Sequence, residues 1–80
     1  GIRFALGQIR FIRGDYAGAA DLLQPAITDN MDDETNRQIA RWYLAALGKQ
    51  GKADQALYDK LVGKDPNEQQ EIDALLRASF

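Results

Sequence analysis

Cysteine and histidine are both absent from the 80 residues of this chain. That excludes disulfides, thiolate and imidazole metal sites, and any nucleophile that depends on a histidine base. A lack of cysteine suits reducing and oxidising compartments alike, so it leaves localisation open. Long apolar runs are missing too. No segment approaches the roughly 18 apolar residues of a spanning helix, and no signal-peptide pattern opens the chain, which argues against direct membrane insertion. The net charge is only −2, giving no global attraction to nucleic acid or anionic lipid. Nothing in the sequence sets two acids across a cleft that would raise one pKa, as acid–base catalysis needs. No catalytic, cofactor-binding or metal-binding residue is assigned, and the chain is not expected to be an enzyme.

What the chain does have is an internal repeat. Gly14-Asp15-Tyr16-Ala17-Gly18-Ala19 returns as Gly51-Lys52-Ala53-Asp54-Gln55-Ala56, with Gly on Gly and Ala on Ala at an offset of 37 residues. A period in the thirties around such a turn is the signature of stacked helical hairpins. Alanine carries much of the 45% hydrophobic fraction, and small residues are what closely packed helices need. Eighty residues make one small domain, near the size at which a single core barely suffices.

The periodicity predicts five helices. In the first, residues 2–13, Ile2, Ala5, Leu6, Ile9 and Ile12 recur at spacings of three and four and define an apolar face, with Phe4 and Phe11 widening it. Gly14-Asp15 breaks this helix, and Asp15 caps the next. The second covers residues 16–28, but Pro25 predicts a kink or early stop near Gln24. The acidic connection 29–34 lacks the ligand spacing and glycine of a calcium loop, so its carboxylates are read as favouring the N-terminus of the third helix. That helix runs to about Lys49, with Trp42 placed inside the second hairpin. The fourth is expected over 52–62. Asp65-Pro66-Asn67-Glu68 then combines an N-cap, a proline at the first helical position and an acid three residues after the cap. The fifth follows to about Ser79, with Ile72, Leu75, Leu76 and Phe80 inward and Glu68, Glu71, Asp73 and Arg77 facing water.

Leu6-Gly7, Gly14-Asp15-Tyr16, Ala19 and Leu23 together resemble the tetratricopeptide repeat family, and the likeness covers about residues 2–62. The second copy departs from the pattern. Tyr43-Leu44 stands for Leu-Gly, Ala53 replaces the turn tyrosine, Lys60 occupies the place of a large apolar residue, and the spacing exceeds the family's period of about 34 residues. The resemblance implies an all-α fold, a right-handed α-α superhelix of helical hairpins with about five helices. Residues 2–28 would form hairpin one, 33–62 hairpin two and 66–79 a capping helix. All lie in one domain, residues 1–80, read as a fragment of a longer chain.

In that family the first helix of each hairpin lines a concave surface where peptides or partner helices lie. Carried over by position, this surface would comprise Phe4, Gln8, Phe11 and Ile12, then Gln38, Arg41, Ala45 and Lys49. The partner-binding set is Phe4, Gln8, Phe11, Gln38, Arg41 and Lys49, in which Arg41 and Lys49 would meet an acidic peptide and the two phenylalanines would anchor it. The implied function is protein–protein interaction, as an adaptor or scaffold for a protein or peptide. The alternative is a structural C-terminal cap, or a self-association segment, with no outside ligand. A third reading is an accessory module of an enzyme whose catalytic domain lies elsewhere. Arg3, Arg10 and Arg13 also make a basic edge on the first helix, with no acid among residues 1–14. It reads as a strip for an acidic partner or as a solvated face, and nucleic acid is not expected.

Overall fold

Five α-helices and one short 3-10 turn make up the computed structural model, which describes residues 1–80. Helix α1 spans Ile2–Ile12 and α2 spans Tyr16–Leu23, followed by the 3-10 turn Gln24–Ala26. Helices α3, α4 and α5 cover Glu34–Lys49, Gln55–Lys64 and Asn67–Arg77. Pro25 sits inside the 3-10 turn, so the early stop expected near Gln24 is observed. The chain leaves it extended at Ile27.

The repeated glycine does the same work twice. Gly14 and Gly51 have φ values of 85° and 72°, the left-handed region that only glycine enters without strain. At each, the following amide reaches back five residues. Asp15 N–H donates to Arg10 C=O and Lys52 N–H donates to Leu47 C=O, both at 2.9 Å, which closes the C-terminus of the helix. The copies then diverge. Asp15 caps α2 at once, its carboxylate accepting from Gly18 N–H at 2.9 Å. In the second copy Lys52 and Ala53 intervene, and Asp54 is the cap, accepting from Leu57 N–H at 3.1 Å. Helix α4 therefore starts later than expected, at Gln55.

That difference propagates into the packing. Helix α1 lies closely along α2, whereas α3 packs chiefly on α2 and α5 and only lightly on α4. Glycines mark the close approaches. A Cβ on Gly7 would stand 2.6 Å from Leu23 Cγ, and one on Gly48 would stand 2.7 Å from Leu76 Cδ2. Helix α3 thus serves two cores. One holds Phe11, Ala19, Ala20, Ala45 and Ala46, and the other Met31, Ala40, Leu44, Leu61 and Ile72.

Several expectations about faces are overturned, among them the inward place given to Phe80, which is 68% exposed. The side of α1 that turns inward carries Gly7 and Phe11, while Ile2, Leu6, Ile9 and Ile12 are exposed. The helix has two apolar stripes, and the one containing a glycine wins because it lets the fully buried Leu23 approach. Trp42, expected inside hairpin two, instead lies half-buried and edge-on to Phe11 of α1, with ring centroids 5.3 Å apart.

Candidate functional site

The six residues expected to bind a partner do not form one open surface. Phe11 is 1% exposed and sits among Tyr16, Trp42 and Phe80, with ring centroids at 5.1, 5.3 and 6.3 Å. It is a core residue, not an anchor, because edge-to-face contacts with neighbouring rings already occupy its surface. Phe4, Gln8 and Gln38 are half-buried.

Arg41 is held within the fold. Its Nε donates to Glu68 Oε1 at 2.6 Å and its Nη2 to Glu68 Oε2 at 3.0 Å, a fork-to-fork pair between α3 and α5. Glu68 is buried and the arginine side chain is 23% exposed. Hydrogen bonding to the Glu68 carboxylate raises the Arg41 pKa further, so the guanidinium stays charged. A charge so placed is matched already and has little left for a ligand. Glu68 was expected in water and as part of a capping box. Its place on the stripe Glu68, Ile72, Leu75 is the sequence signal that it turns inward. Asp65 caps the start of α5 as expected, its carboxylate accepting from Asn67 N–H at 3.0 Å, but Glu68 does not close the box.

Lys49 is half-buried as well. Its Nζ lies 5.6 Å from the centre of the Tyr16 ring and 3.5 Å from Ala78 C=O. The ammonium therefore ties α3 to the start of α2 and the end of α5, through a cation–π contact and a long hydrogen bond.

Asn36 is a structural residue that composition and spacing had not singled out. It is buried at 3% exposure, and its amide bridges back to the acidic connection. Oδ1 accepts from Thr28 N–H at 2.8 Å, and Nδ2 donates to Thr28 and Asn30 carbonyls at 2.9 Å each. The loop acids have partners of their own. Asp33 accepts from Thr35 N–H to cap α3, Asp32 pairs with Lys64, and Asp29 pairs with Lys60 at 3.6 Å. The hydrogen bond and charge of Lys64 hold the Asp32 carboxyl below its ordinary pKa. Part of the acidic connection 29–34 is thus matched inside the chain by lysines of α4.

Three open hollows indent the surface, and none of the six expected residues lines them. The largest, 450 Å³, lies between α2 and α3 beside Asp21, Gln24, Tyr43 and Gln50. Burial pushes the Tyr43 hydroxyl above its usual pKa, with Asp54 and Asp21 adding to the effect, so the phenol stays neutral at physiological pH. A second hollow, of 190 Å³, opens where α4 leans away from α3 and has Leu44, Tyr58, Ile72 and Leu76 among its lining.

The most apolar open surface is the outer side of α1. Leu6, Ile9 and Ile12 are each 44% exposed and Ile2 is 80% exposed. Alongside run Arg3, Arg10 and Arg13, of which only Arg10 has a salt-bridge partner, Asp15 at 2.9 Å. The far end of the fold is different in character, for α5 shows water Gln69, Gln70, Glu71, Ala74 and Arg77. Comparison of the chain with family models, with curated proteins and with solved structures gives no match.

Proposed function

We propose that this chain is a protein–protein interaction module built from tetratricopeptide-like helical hairpins, an adaptor or scaffold that carries no chemistry of its own. The observation that carries the reading is the exposed apolar side of α1. A stripe of four large aliphatic residues along one helix is the kind of patch that marks a contact surface. Supporting the hairpin assignment are the Gly7–Leu23 approach, the buried Ala19 and the shared closure at Gly14 and Gly51. The concave surface of the first helices is a weaker candidate, because Phe11, Arg41 and Lys49 are engaged within the fold.

A second reading is a structural terminus of a helical array that binds no outside ligand, and the polar outer face of α5 favours it. An array needs a polar-backed end, and α5 supplies one. Affinity capture from a lysate of the source organism separates the two, comparing this chain with its Leu6→Gln/Ile9→Gln variant at equal helicity. A protein held by the parent and released by the variant is the expected result. Capture of nothing by either chain would reject the interaction module for these residues and leave the structural terminus.

A further inference from the structure

Helix α1 carries two features on its outer side that the fold leaves exposed. One is the stripe Ile2, Leu6, Ile9 and Ile12, at the spacing of a single helical face, with Ala5 exposed between them. The other is the arginine edge. Arg3 and Arg10 stand three and four residues from Leu6, and Arg13 stands four from Ile9, so all three border the same stripe along one side. Residues 1–14 hold a charge of +3 with no carboxylate among them. Only Arg10 is neutralised within the fold, by Asp15, and Arg3 and Arg13 have no salt bridge.

A stripe with a one-signed edge selects its occupant. From this geometry we infer that α1 receives an amphipathic helix of a separate partner, whose apolar stripe is bordered by glutamate or aspartate. The inference rests on the interaction-module reading and names the chemistry of the partner. Apolar side chains of that helix cover Leu6 and Ile9, and its acids face Arg3 and Arg13, a charge arrangement that fixes register and excludes basic helices.

A second copy of this chain does not fit. An antiparallel pair of α1 helices sets one arginine edge against the other, and a parallel pair offers no carboxylate, because α1 has none. Elsewhere the only other large apolar side chain exposed is Phe80. No other helix of a second copy therefore presents an acid-edged apolar stripe. Size points the same way. An 11-residue helix offers a strip about 16 Å long and 10 Å wide, well short of the roughly 800 Å² that each partner buries in a stable dimer. That is the footprint of a helix.

The test uses two synthetic 18-residue helical peptides with the same leucine stripe, one edged with glutamate and the other with lysine. Each is titrated into the isotopically labelled chain and followed by amide chemical shifts, with sedimentation run alongside. The glutamate-edged peptide is expected to shift amides of residues 2–13 and leave α5 unmoved. Its affinity should fall about tenfold in an Arg3→Glu/Arg13→Glu variant and at high salt, and the lysine-edged peptide should bind about tenfold more weakly. Both substitutions are at exposed positions, and Arg10 is kept because it holds Asp15, so the variant should retain its helicity.

Equal binding of the two peptides would overturn the charge assignment while leaving the interaction module intact. Binding of neither would overturn the acid-edged helix. The module itself then survives only if lysate capture still depends on Leu6 and Ile9. Sedimentation as a dimer that dissociates in the Leu6→Gln/Ile9→Gln variant would overturn the inference in favour of a second copy.

Discussion

The two halves of this molecule share a turn and an aspartate cap, and differ in how the helix that follows packs. Around Gly14 and Gly51 the backbone closes the preceding helix with the same five-residue bond at the same length. In the first half the cap comes immediately, and α2 folds back along α1, close enough for Leu23 to lie on Gly7. In the second half two extra residues precede Asp54, and α4 leans away. The place beside α3 goes to α5, drawn in at Gly48 and clamped by Arg41 and Glu68. A repeated turn therefore specifies how a helix ends. Where the next helix packs depends on the distance from turn to cap and on where the glycines lie.

The clamp should be the most costly contact to break. Arg41→Ala leaves the buried Glu68 carboxylate unpaired, and we expect a loss of about 3 kcal/mol in urea unfolding, the low end for a buried pair because Arg41 is partly exposed. Replacing both partners, as Arg41→Met with Glu68→Leu, should recover to within about 1 kcal/mol of the parent. A double variant as unstable as Arg41→Ala would show that the pair acts through geometry that apolar packing does not restore.

Next in size is a contrast between the two glycines. Gly7→Ala drives a methyl into both Cγ and Cδ2 of the fully buried Leu23, with a cost of about 2 kcal/mol expected from overpacking. Gly48→Ala meets closely only the end of Leu76, a half-buried side chain beside an open hollow. There the gain in helix propensity, up to about 1 kcal/mol, should offset the contact and leave thermal stability nearly unchanged. Equal costs at the two sites would erase the distinction between the tight first half and the more yielding second.

Removing Asn36 tests the connection between the halves. Asn36→Ala deletes an acceptor and a donor that serve Thr28 and Asn30, and should cost about 1–2 kcal/mol. Hydrogen exchange should quicken at Thr28, whose N–H loses its acceptor, before it does within α1.

The smallest effect concerns pH. Asp15 is held below its ordinary pKa by the Gly18 amide first and by Arg10 second. A carboxylate depressed in the folded state contributes stability above its unfolded pKa and loses it as pH falls through the folded value. The thermal midpoint of the parent should therefore drop below about pH 4 more steeply than that of Asp15→Asn, which keeps a capping acceptor but does not titrate. Parallel profiles would mean that Asp15 acts as a neutral cap would.

Helix placement was largely legible beforehand, because its signals are local. Asp15 caps α2, Pro25 ends it, Gly14 and Gly51 close their turns, and Asp65-Pro66 opens α5, each through atoms within a few residues. The choice of buried face was not legible in the same way. Helix α1 offers two apolar stripes, and the one richer in aliphatic residues is the one left outside. The candidate surface was accordingly misplaced. Phe11 went inward with Gly7, and Arg41 went to Glu68, 27 positions away. Signals existed in both cases, since Gly7 lies with Phe11 on one stripe and Glu68 lies on the inner stripe of α5. The Glu68 signal could not be weighed without knowing which helix would pack against it.

By itself, then, the sequence determined an all-helical chain, its five helices, the caps of α2 and α5 and the twice-used glycine turn. Short-range hydrogen bonds and backbone preferences decide those features before any two helices meet. Only the tertiary structure decided which side of α1 is buried, that α5 rather than α4 is the closer partner of α3, and that Arg41 is matched internally. Those outcomes depend on which surfaces fit together at close range, a property of pairs of helices distant in the chain, and the same choice leaves an arginine-edged aliphatic stripe open to solvent.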